Sequence, residues 1–244
     1  MRNRLIENKR RLAKKQVSEL IQKEGKFHKE YTKRLETRHA TGFVTRDLIY
    51  ELNNDLFLLV HDPEGHGIAG KGDIYKLENL LRLIEFKEKA EEDYKNNRAS
   101  SVDNWHYFSR HKENLINHIE GLVKELAGEL HIESAILNFS YESLDKISKG
   151  VNQYGISNAE NQLYDNLVAY IGEVLIRRVN GKWNLYYPTY GNIYPFVDVG
   201  IKHLQYMPVN VVFENFLRVY PVDLRKSTAN EVRRHTLARK LNSK

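Results

Sequence analysis

One loop of the sequence, HDPEGHGIAGKGD at residues 61–73, comes close to the phosphate-binding pattern G-x-x-x-x-G-K-[ST]. The spacing of Gly65 and Lys71 fits, but Gly72 stands where a serine or threonine would hold the magnesium ion. The apolar residues before the loop follow helical spacing rather than strand alternation, and Asp73 would repel a phosphate. We therefore expect a mobile connector between two helices that binds no nucleotide.

Histidines form a second set of residues with possible chemistry, because imidazole and carboxylate groups are ligands for zinc and iron. His61, Asp62 and His66 share the loop, and three further histidines follow at positions 106, 111 and 118. No third ligand stands at a metal-binding spacing, and neither H-E-x-x-H nor G-x-S-x-G occurs. We expect no metal, no cofactor and no catalytic residue. An enzyme that depends on a metal or a nucleotide is the least favoured function.

The segment LVAYIGEVLIRRVNGKWNL, residues 167–185, combines features that need a structural reason. A glycine inside a helix costs about 1 kcal/mol relative to alanine, so Gly172 indicates close packing against a ring, for which Trp183 is the candidate. Glu173 interrupts an apolar face and needs a partner there, which Arg177 can supply one helical turn later. The candidate binding residues are Tyr170, Glu173, Arg177 and Trp183.

Basic residues concentrate at both ends of the chain. Residues 1–38 hold 13 basic and 5 acidic side chains, and residues 221–244 hold 7 and 2. Because the whole chain carries +6, the part between them is acidic. Basic arms contact nucleic acid, acidic protein surfaces or the protein's own body. The nucleic-acid-binding alternative would use Lys9, Arg10, Arg11, Lys14 and Lys15.

Composition excludes some classes of protein. The chain has no cysteine, which rules out disulfides and thiolate metal sites. No apolar run approaches the roughly 18 residues of a membrane span, and the charged N-terminus has no signal-peptide stretch behind it. We expect a cytoplasmic protein that does not enter a membrane, and its oligomeric state stays open.

Hydrophobic spacing predicts a predominantly helical α+β protein. A helical portion, residues 1–128, is expected to begin with one long basic helix over residues 2–38. Further helices are predicted over residues 45–61, after a cap at Asp73, and over residues 105–126.

A small helix–β-hairpin–helix module is predicted to follow over residues 129–221, with a basic tail at 222–244 or one core shared by all three parts. Ser140 is expected to cap a helix, and Ser157 with Glu160 to form a capping box. KWNLYYP and NIYPFVDV are predicted to pair as strands, with Pro195 at an edge or before the strand begins, and Pro208 to begin a final helix.

This module resembles a group of uncharacterised bacterial proteins. They carry a Ser-x-x-Ser-Leu-Asp segment, a Tyr-x-Gly-Glu-Val helix and a Gly-x-Trp turn, and the resemblance covers roughly residues 130–215. The matching residues are Ser140, Ser143, Leu144, Asp145, Tyr170, Gly172, Glu173, Val174, Gly181 and Trp183. The group is similar to the immunity and interaction proteins that accompany bacterial toxins. The resemblance implies a non-catalytic protein-binding module, an immunity-type protein that neutralises a toxin, and it carries over no catalytic residue.

Overall fold

The computed structural model describes residues 5–8, 10–38, 44–217, 219 and 221–234. They form a predominantly helical α+β protein with small antiparallel sheets, which confirms the predicted fold class. The chain divides into two compact units, residues 1–92 and 93–244. The division falls between Glu92 and Asp93, whereas the sequence placed it after residue 128.

The first unit contains most of the strands. Its elements are α1 (Lys14–Glu24), β1 (Lys26–Phe27), α2 (Lys29–Arg34), β2 (Thr37–Arg38), β3 (Val44–Thr45), β4 (Leu48–Glu51), β5 (Leu56–Val60), β6 (Gly72–Lys76) and most of α3 (Leu77–Lys95), which continues past Glu92. Strands β1, β4, β5 and β6 form an antiparallel sheet in the order β1-β4-β5-β6, and β2 pairs with β3.

The predicted helix over residues 45–61 is wrong, because β4 and β5 form a hairpin there. Asn54 and Asp55 both have positive φ, at 61° and 55°, and two such residues in succession reverse the chain. Phe57 and Leu59 pack into one apolar cluster, while Leu58 and Val60 join a second cluster with α1. A strand buried on both faces loses the polar–apolar alternation, which is why its sequence was mistaken for a helix.

The single long helix predicted over residues 2–38 is also wrong. Gly25 ends α1 in an extended conformation, and a Cβ at this position would lie 2.7 Å from the Cα of Ile21. The chain then forms β1, which pairs with β4, before α2 begins after His28. Asp73, the predicted helix cap, lies instead within β6.

The second unit is mainly helical. Its elements are α4 (Ser101–Phe108), a 3-10 helix (Lys112–His118), α5 (Ile119–Glu129), a short 3-10 helix (Ser134–Ile136), α6 (Tyr141–Tyr154), α7 (Ile156–Gln162), α8 (Tyr164–Val179), β7 (Lys182–Tyr186), β8 (Tyr194–Asp198), β9 (Gln205–Tyr206), α9 (Pro208–Leu217) and α10 (Leu224–Arg234). The strands form one antiparallel sheet in the order β7-β8-β9.

Helix α8 lies at the centre of the second unit, and most of its residues are buried. It contacts α5, α9, α10 and the β7–β8 hairpin. Asn180, in the left-handed conformation with φ 54°, ends α8 and leads into the hairpin. Because α8 touches so many elements, its side chains fix the position of the hairpin that follows it.

Several predictions for this unit are confirmed. Ser140 caps α6 by accepting a hydrogen bond from the N–H of Ser143 at 3.2 Å, and Pro208 begins α9. The predicted strand pair is β7 and β8. Pro195 lies inside β8, which is the central strand of the sheet, so the prediction that Pro195 stands at an edge or before the strand begins is wrong. The short β9 pairs only with Val197 and Asp198, so the missing N–H of Pro195 costs no bond to it.

Other local predictions for this unit are wrong. Ser157 lies inside α7, so it forms no capping box with Glu160. The single helix predicted over residues 105–126 is interrupted by the 3-10 helix. The sequence left open whether residues 222–244 form a tail or share the core; their described part forms α10, which packs against α6 and α9. Among the described residues, no helix has both the length and the apolar character needed to cross a membrane.

Candidate functional site

The hairpin of β7 and β8 is held against α8 by close packing at Gly172. A Cβ added to Gly172 would lie 1.9 Å from Cη2 of Trp183, so the indole ring rests directly on the helix backbone. No other residue type leaves room for this contact. The glycine that is unfavourable for an isolated helix thus provides the attachment point for the hairpin, as the sequence predicted.

Glu173 adds a polar connection beside this packing contact. The indole Nε1 of Trp183 donates a hydrogen bond to Glu173 Oε1 at 2.9 Å. Nη1 of Arg177 donates to Glu173 Oε2 at 2.7 Å and to the Glu173 carbonyl at 2.9 Å. Both carboxylate oxygens therefore have donors, so the group is positioned by its neighbours and is suited to fixing the hairpin rather than to moving a proton.

Aromatic contacts extend the cluster to the segment before α6. The guanidinium of Arg177 lies 3.9 Å from the ring centre of Phe139, and that ring stacks on Tyr170 at 4.9 Å. The Tyr170 hydroxyl donates to Ser143 Oγ at 2.6 Å and accepts from the Phe139 N–H at 3.0 Å. Burial raises the pKa of Tyr170, which keeps the hydroxyl protonated as a donor.

The structure thus brings all four candidate residues into one cluster and adds Phe139 and Ser143. Phe139 has φ of 61°, which is unusual for a bulky residue and is maintained here by the ring stack and the hydrogen bond to Tyr170. In the sequence Ser143 stands out only as part of a motif, and Phe139 does not stand out. The signal available in the sequence for Phe139 was its position directly before Ser140, the cap of α6.

A shallow recess of about 400 Å³ lies beside the cluster. Glu120 and Lys124 form an ion pair of 3.4 Å one helical turn apart, and both line the recess. The remaining lining is mostly apolar and includes the predicted Glu173. The lining residues are Ile119, Glu120, Val123, Lys124, Phe139 and Glu173.

The far end of the hairpin carries a group of tyrosines that are not among the predicted site residues. Tyr186 and Tyr194 are opposite each other in the strand register, and their rings stack at 5.0 Å. Tyr187 is exposed, and Tyr190 is 91% exposed. We call Tyr186, Tyr187, Tyr190 and Tyr194 the tyrosine tip. The fifteen residues from Trp183 to Val197 include no Asp, Glu, Lys or Arg, and this uncharged aromatic run was the signal available in the sequence.

The glycine loop of the first unit is a hairpin connection and not the predicted link between helices. It joins β5 to β6, and the backbone bonds His61 N to Lys71 O and Gly70 N to His61 O close it. The segment before the loop is a strand, as a phosphate loop requires. The segment after it is also a strand, so the loop does not lead directly into a helix as the phosphate-binding pattern requires.

In this hairpin His61 and the carboxylates of Asp62 and Asp73 are bonded to each other or to the backbone, whereas His66 is exposed. Nε2 of His61 lies 2.9 Å from Asp73 Oδ2, and Asp62 accepts from the N–H groups of Arg46 and Glu64. In the second unit, the rings of two further candidates, His111 and His118, lie 4.2 Å apart. Within the described ranges, no group of three or more His, Asp or Glu side chains is placed to hold a metal ion.

The residues of the nucleic-acid alternative lie apart from the tyrosine tip in the sequence and have varied roles. Lys9 lies outside the described residues, and Arg10 is exposed. Arg11 donates to Asp73 at 2.8 Å, and the methylene groups of Lys14 pass over Gly70. Lys15 is exposed near Glu19, at 3.9 Å.

Comparison of the chain with family models, with curated proteins and with solved structures gave no match.

Proposed function

We propose that this protein is a non-catalytic protein-binding module of the immunity type that acts in the cytoplasm and neutralises a toxin by binding it. The observation that supports the proposal is the tyrosine tip, an uncharged aromatic surface at the end of a hairpin. The resemblance of residues 130–215 to immunity and interaction proteins points to the same class.

The composition of the tip fits a protein interface. Tyrosine is enriched at the centres of such interfaces, where charged residues are depleted, and it provides a large contact area with little side-chain entropy to lose. Tyr187 and Tyr190 expose most of their surface, although tyrosine is a residue that folded proteins bury at least in part. The stacked pair of Tyr186 and Tyr194 gives the tip a preformed base.

The contacts that hold the β7–β8 hairpin in place also support a binding function. Gly172 and Glu173 hold Trp183 at the start of β7. In the loop that connects β7 to β8, the Asn192 side chain donates a hydrogen bond to Asp103 of α4 at 2.9 Å. A surface whose supports are fixed before binding loses less conformational entropy when the partner arrives. The candidate residues of α8 therefore act as supports of the binding surface in this proposal.

A protein partner explains the tip better than nucleic acid does. Proteins that stack bases on tyrosines combine them with Lys or Arg along the backbone path, since phosphates must be neutralised. The tip has no such residue between Trp183 and Val197. Nucleic-acid binding through the basic N-terminal segment, residues 9–15, is retained as an outcome of the test.

The test uses the full chain, immobilised and exposed to lysate of its native host. We expect the wild-type protein to retain a protein that the double variant Tyr187→Ser/Tyr190→Ser loses by at least tenfold. Tyr94→Ser, which removes a similarly exposed tyrosine from α3, should retain it. Co-expression of the retained protein should impair growth, and the wild-type chain but not the double variant should restore growth.

Two results would count against the proposal. Retention that is equal for the wild-type chain and the double variant would remove the tip as the binding surface. Recovery of nucleic acid alone, with retardation in a mobility-shift assay that weakens steeply with salt, would favour the nucleic-acid function instead.

A further inference from the structure

Strand β7 lies at one edge of the three-stranded sheet, and no other described strand pairs with its outer side. Its residue Leu185 is opposite Pro195, which has no N–H to donate. These two residues are therefore a non-hydrogen-bonded pair, and such pairs alternate with bonded ones along an antiparallel ladder. The backbone N–H and C=O groups of Trp183 and Leu185 consequently point away from β8, towards the outer edge.

One outward group already has an internal partner. The Leu185 N–H donates to Oδ1 of the neighbouring Asn184 at 2.8 Å. This bond confirms that the Leu185 N–H is not used by β8. The carbonyl of Leu185 and both backbone groups of Trp183 are directed outward as well, which makes this edge a template for another strand.

We propose that the edge of β7 pairs with the same edge of a second copy of this chain, antiparallel and about a two-fold axis beside Asn184. In this register Trp183 of each copy lies opposite Leu185 of the other. Both residues have outward N–H and C=O groups, so each of the two symmetric pairs forms the hydrogen bonds of an antiparallel ladder once the Leu185 N–H exchanges its Asn184 partner for the second copy. The two three-stranded sheets then become one continuous sheet, with the self-complementary interface that two-fold symmetry requires.

The charges on the strand favour this occupant. Lys182 is its only charged residue, and it is exposed on the same face as Asn184 and Tyr186. The proposed register places Lys182 opposite Tyr186 of the second copy, where an ammonium group can contact an aromatic ring. The two lysines are kept apart at opposite ends of the paired strands. A second copy thus meets the edge without like charges facing each other.

Pairing leaves the tyrosine tips accessible. Tyr187 and Tyr190 follow the end of β7, and the antiparallel arrangement directs the tips of the two copies to opposite ends of the joined sheet. The dimer would therefore present two copies of the proposed binding surface, and two linked sites bind a multivalent partner more tightly than one. The pairing itself does not depend on the proposed function.

Analytical ultracentrifugation of the full chain over a range of concentrations tests the pairing. We expect the weight-average mass to rise from one chain to twice that value. Leu185→Pro should stay at the mass of one chain, since the ring blocks the outer edge while the bonds to β8 remain. Asn184→Ala frees the Leu185 N–H and should lower the concentration of half-association about fivefold or more. Far-UV circular dichroism and thermal unfolding verify that each variant folds.

Charge substitutions at Tyr186 and Lys182 test the strand register without relying on the Leu185→Pro variant. Tyr186→Lys faces Lys182 of the second copy and should weaken association at least tenfold. Adding Lys182→Glu to that variant should restore it, whereas Thr189→Lys in the loop should leave association unchanged. A wild-type chain that stays monomeric, a Leu185→Pro variant that associates normally, or a failed restoration would each overturn the proposal. Tyr187→Ser/Tyr190→Ser should still dimerise, which separates this result from that of the lysate experiment.

Discussion

The β5–β6 and β7–β8 hairpins are both antiparallel and both have glycine in their connections, yet they direct their side chains in opposite ways. The first turns some of its polar groups inward: Asp73, 3% exposed, accepts from Arg11 and lies beside His61, and burial raises the pKa of Tyr75. The second hairpin turns its tyrosines outward. The side chains of the first hairpin thus stabilise its own unit, whereas the second hairpin exposes its tyrosines to solvent.

The difference shows why glycine and histidine content is a poor guide to a functional site in this chain. The loop of the first hairpin has residues that are typical of phosphate and metal sites, but backbone hydrogen bonds and ion pairs within the unit use most of them. The second hairpin has no charged residue between Trp183 and Val197, and its most exposed rings, those of Tyr187 and Tyr190, have no comparable set of internal contacts. The type of a residue indicates which chemistry its side chain can perform, whereas the burial and the bonding partners of that side chain decide whether a ligand can reach it.

The largest expected effect comes from adding a methyl group at one closely packed glycine of each hairpin region. In Gly172→Ala the new Cβ meets the Trp183 ring, which cannot move without losing Glu173, so we expect a loss of roughly 3 kcal/mol in the free energy of unfolding. In Gly72→Ala the nearest atoms, at 2.8 and 2.9 Å, are side-chain methyl groups that can shift, so roughly 1 kcal/mol should be lost. Urea denaturation measures both.

Gly121→Ala is the matched control for these two variants. Gly121 lies in α5, and no atom outside its immediate helix surroundings stands within 4 Å of an added Cβ. Alanine should stabilise the helix by up to about 1 kcal/mol. Equal losses in Gly172→Ala and Gly72→Ala would show that the second hairpin is not mounted more rigidly than the first.

The next effect compares the carboxylates that support the two hairpins. Asp73→Asn removes the charge that Arg11 and His61 face, and because Asp73 is buried we expect a loss of roughly 2 kcal/mol. Glu173→Gln keeps an acceptor for Trp183 and should cost roughly 1 kcal/mol, since its pairing with Arg177 is partly exposed. Asp55→Asn, at an exposed turn, should change stability by less than about 0.5 kcal/mol. Thermal unfolding with calorimetry would reveal a reversed order, which would contradict the comparison.

The second unit was easier to predict from sequence than the first for physical reasons. Helix-ending signals such as Asn180 and capping residues such as Ser140 act locally, so they identify α6, α8 and the hairpin. The pairing of β5 with β4 and β6 depends on contacts between distant residues, and burial on both faces removed its alternating pattern. The cluster of Tyr170, Glu173, Arg177 and Trp183 was predicted because a glycine and a carboxylate inside an apolar helix need partners. The tyrosine tip was missed because exposure is not encoded by residue type.

The smallest effect concerns the pH dependence of stability at Tyr170, whose ring stacks on Phe139 beneath Arg177, the partner of Glu173. Tyr170→Phe removes the acceptor of the Phe139 N–H and the bond to Ser143, which should cost about 1 kcal/mol at neutral pH. Burial raises the pKa of Tyr170 in the folded state, so above the unfolded-state pKa of about 10 the unfolded chain loses its proton first. The stability that this tyrosine contributes is therefore complete below that pH and declines as the pH rises.

The Tyr170→Phe variant should accordingly lose stability less steeply than the wild-type chain between about pH 9 and pH 11. Urea denaturation at several pH values in this range measures the slope, with Tyr94→Phe as the control because this tyrosine is exposed on α3. Identical slopes in the Tyr170→Phe and wild-type chains would show that the hydroxyl is hydrated in solution. The cluster beneath the second hairpin would then be as open to water as the tip that it supports.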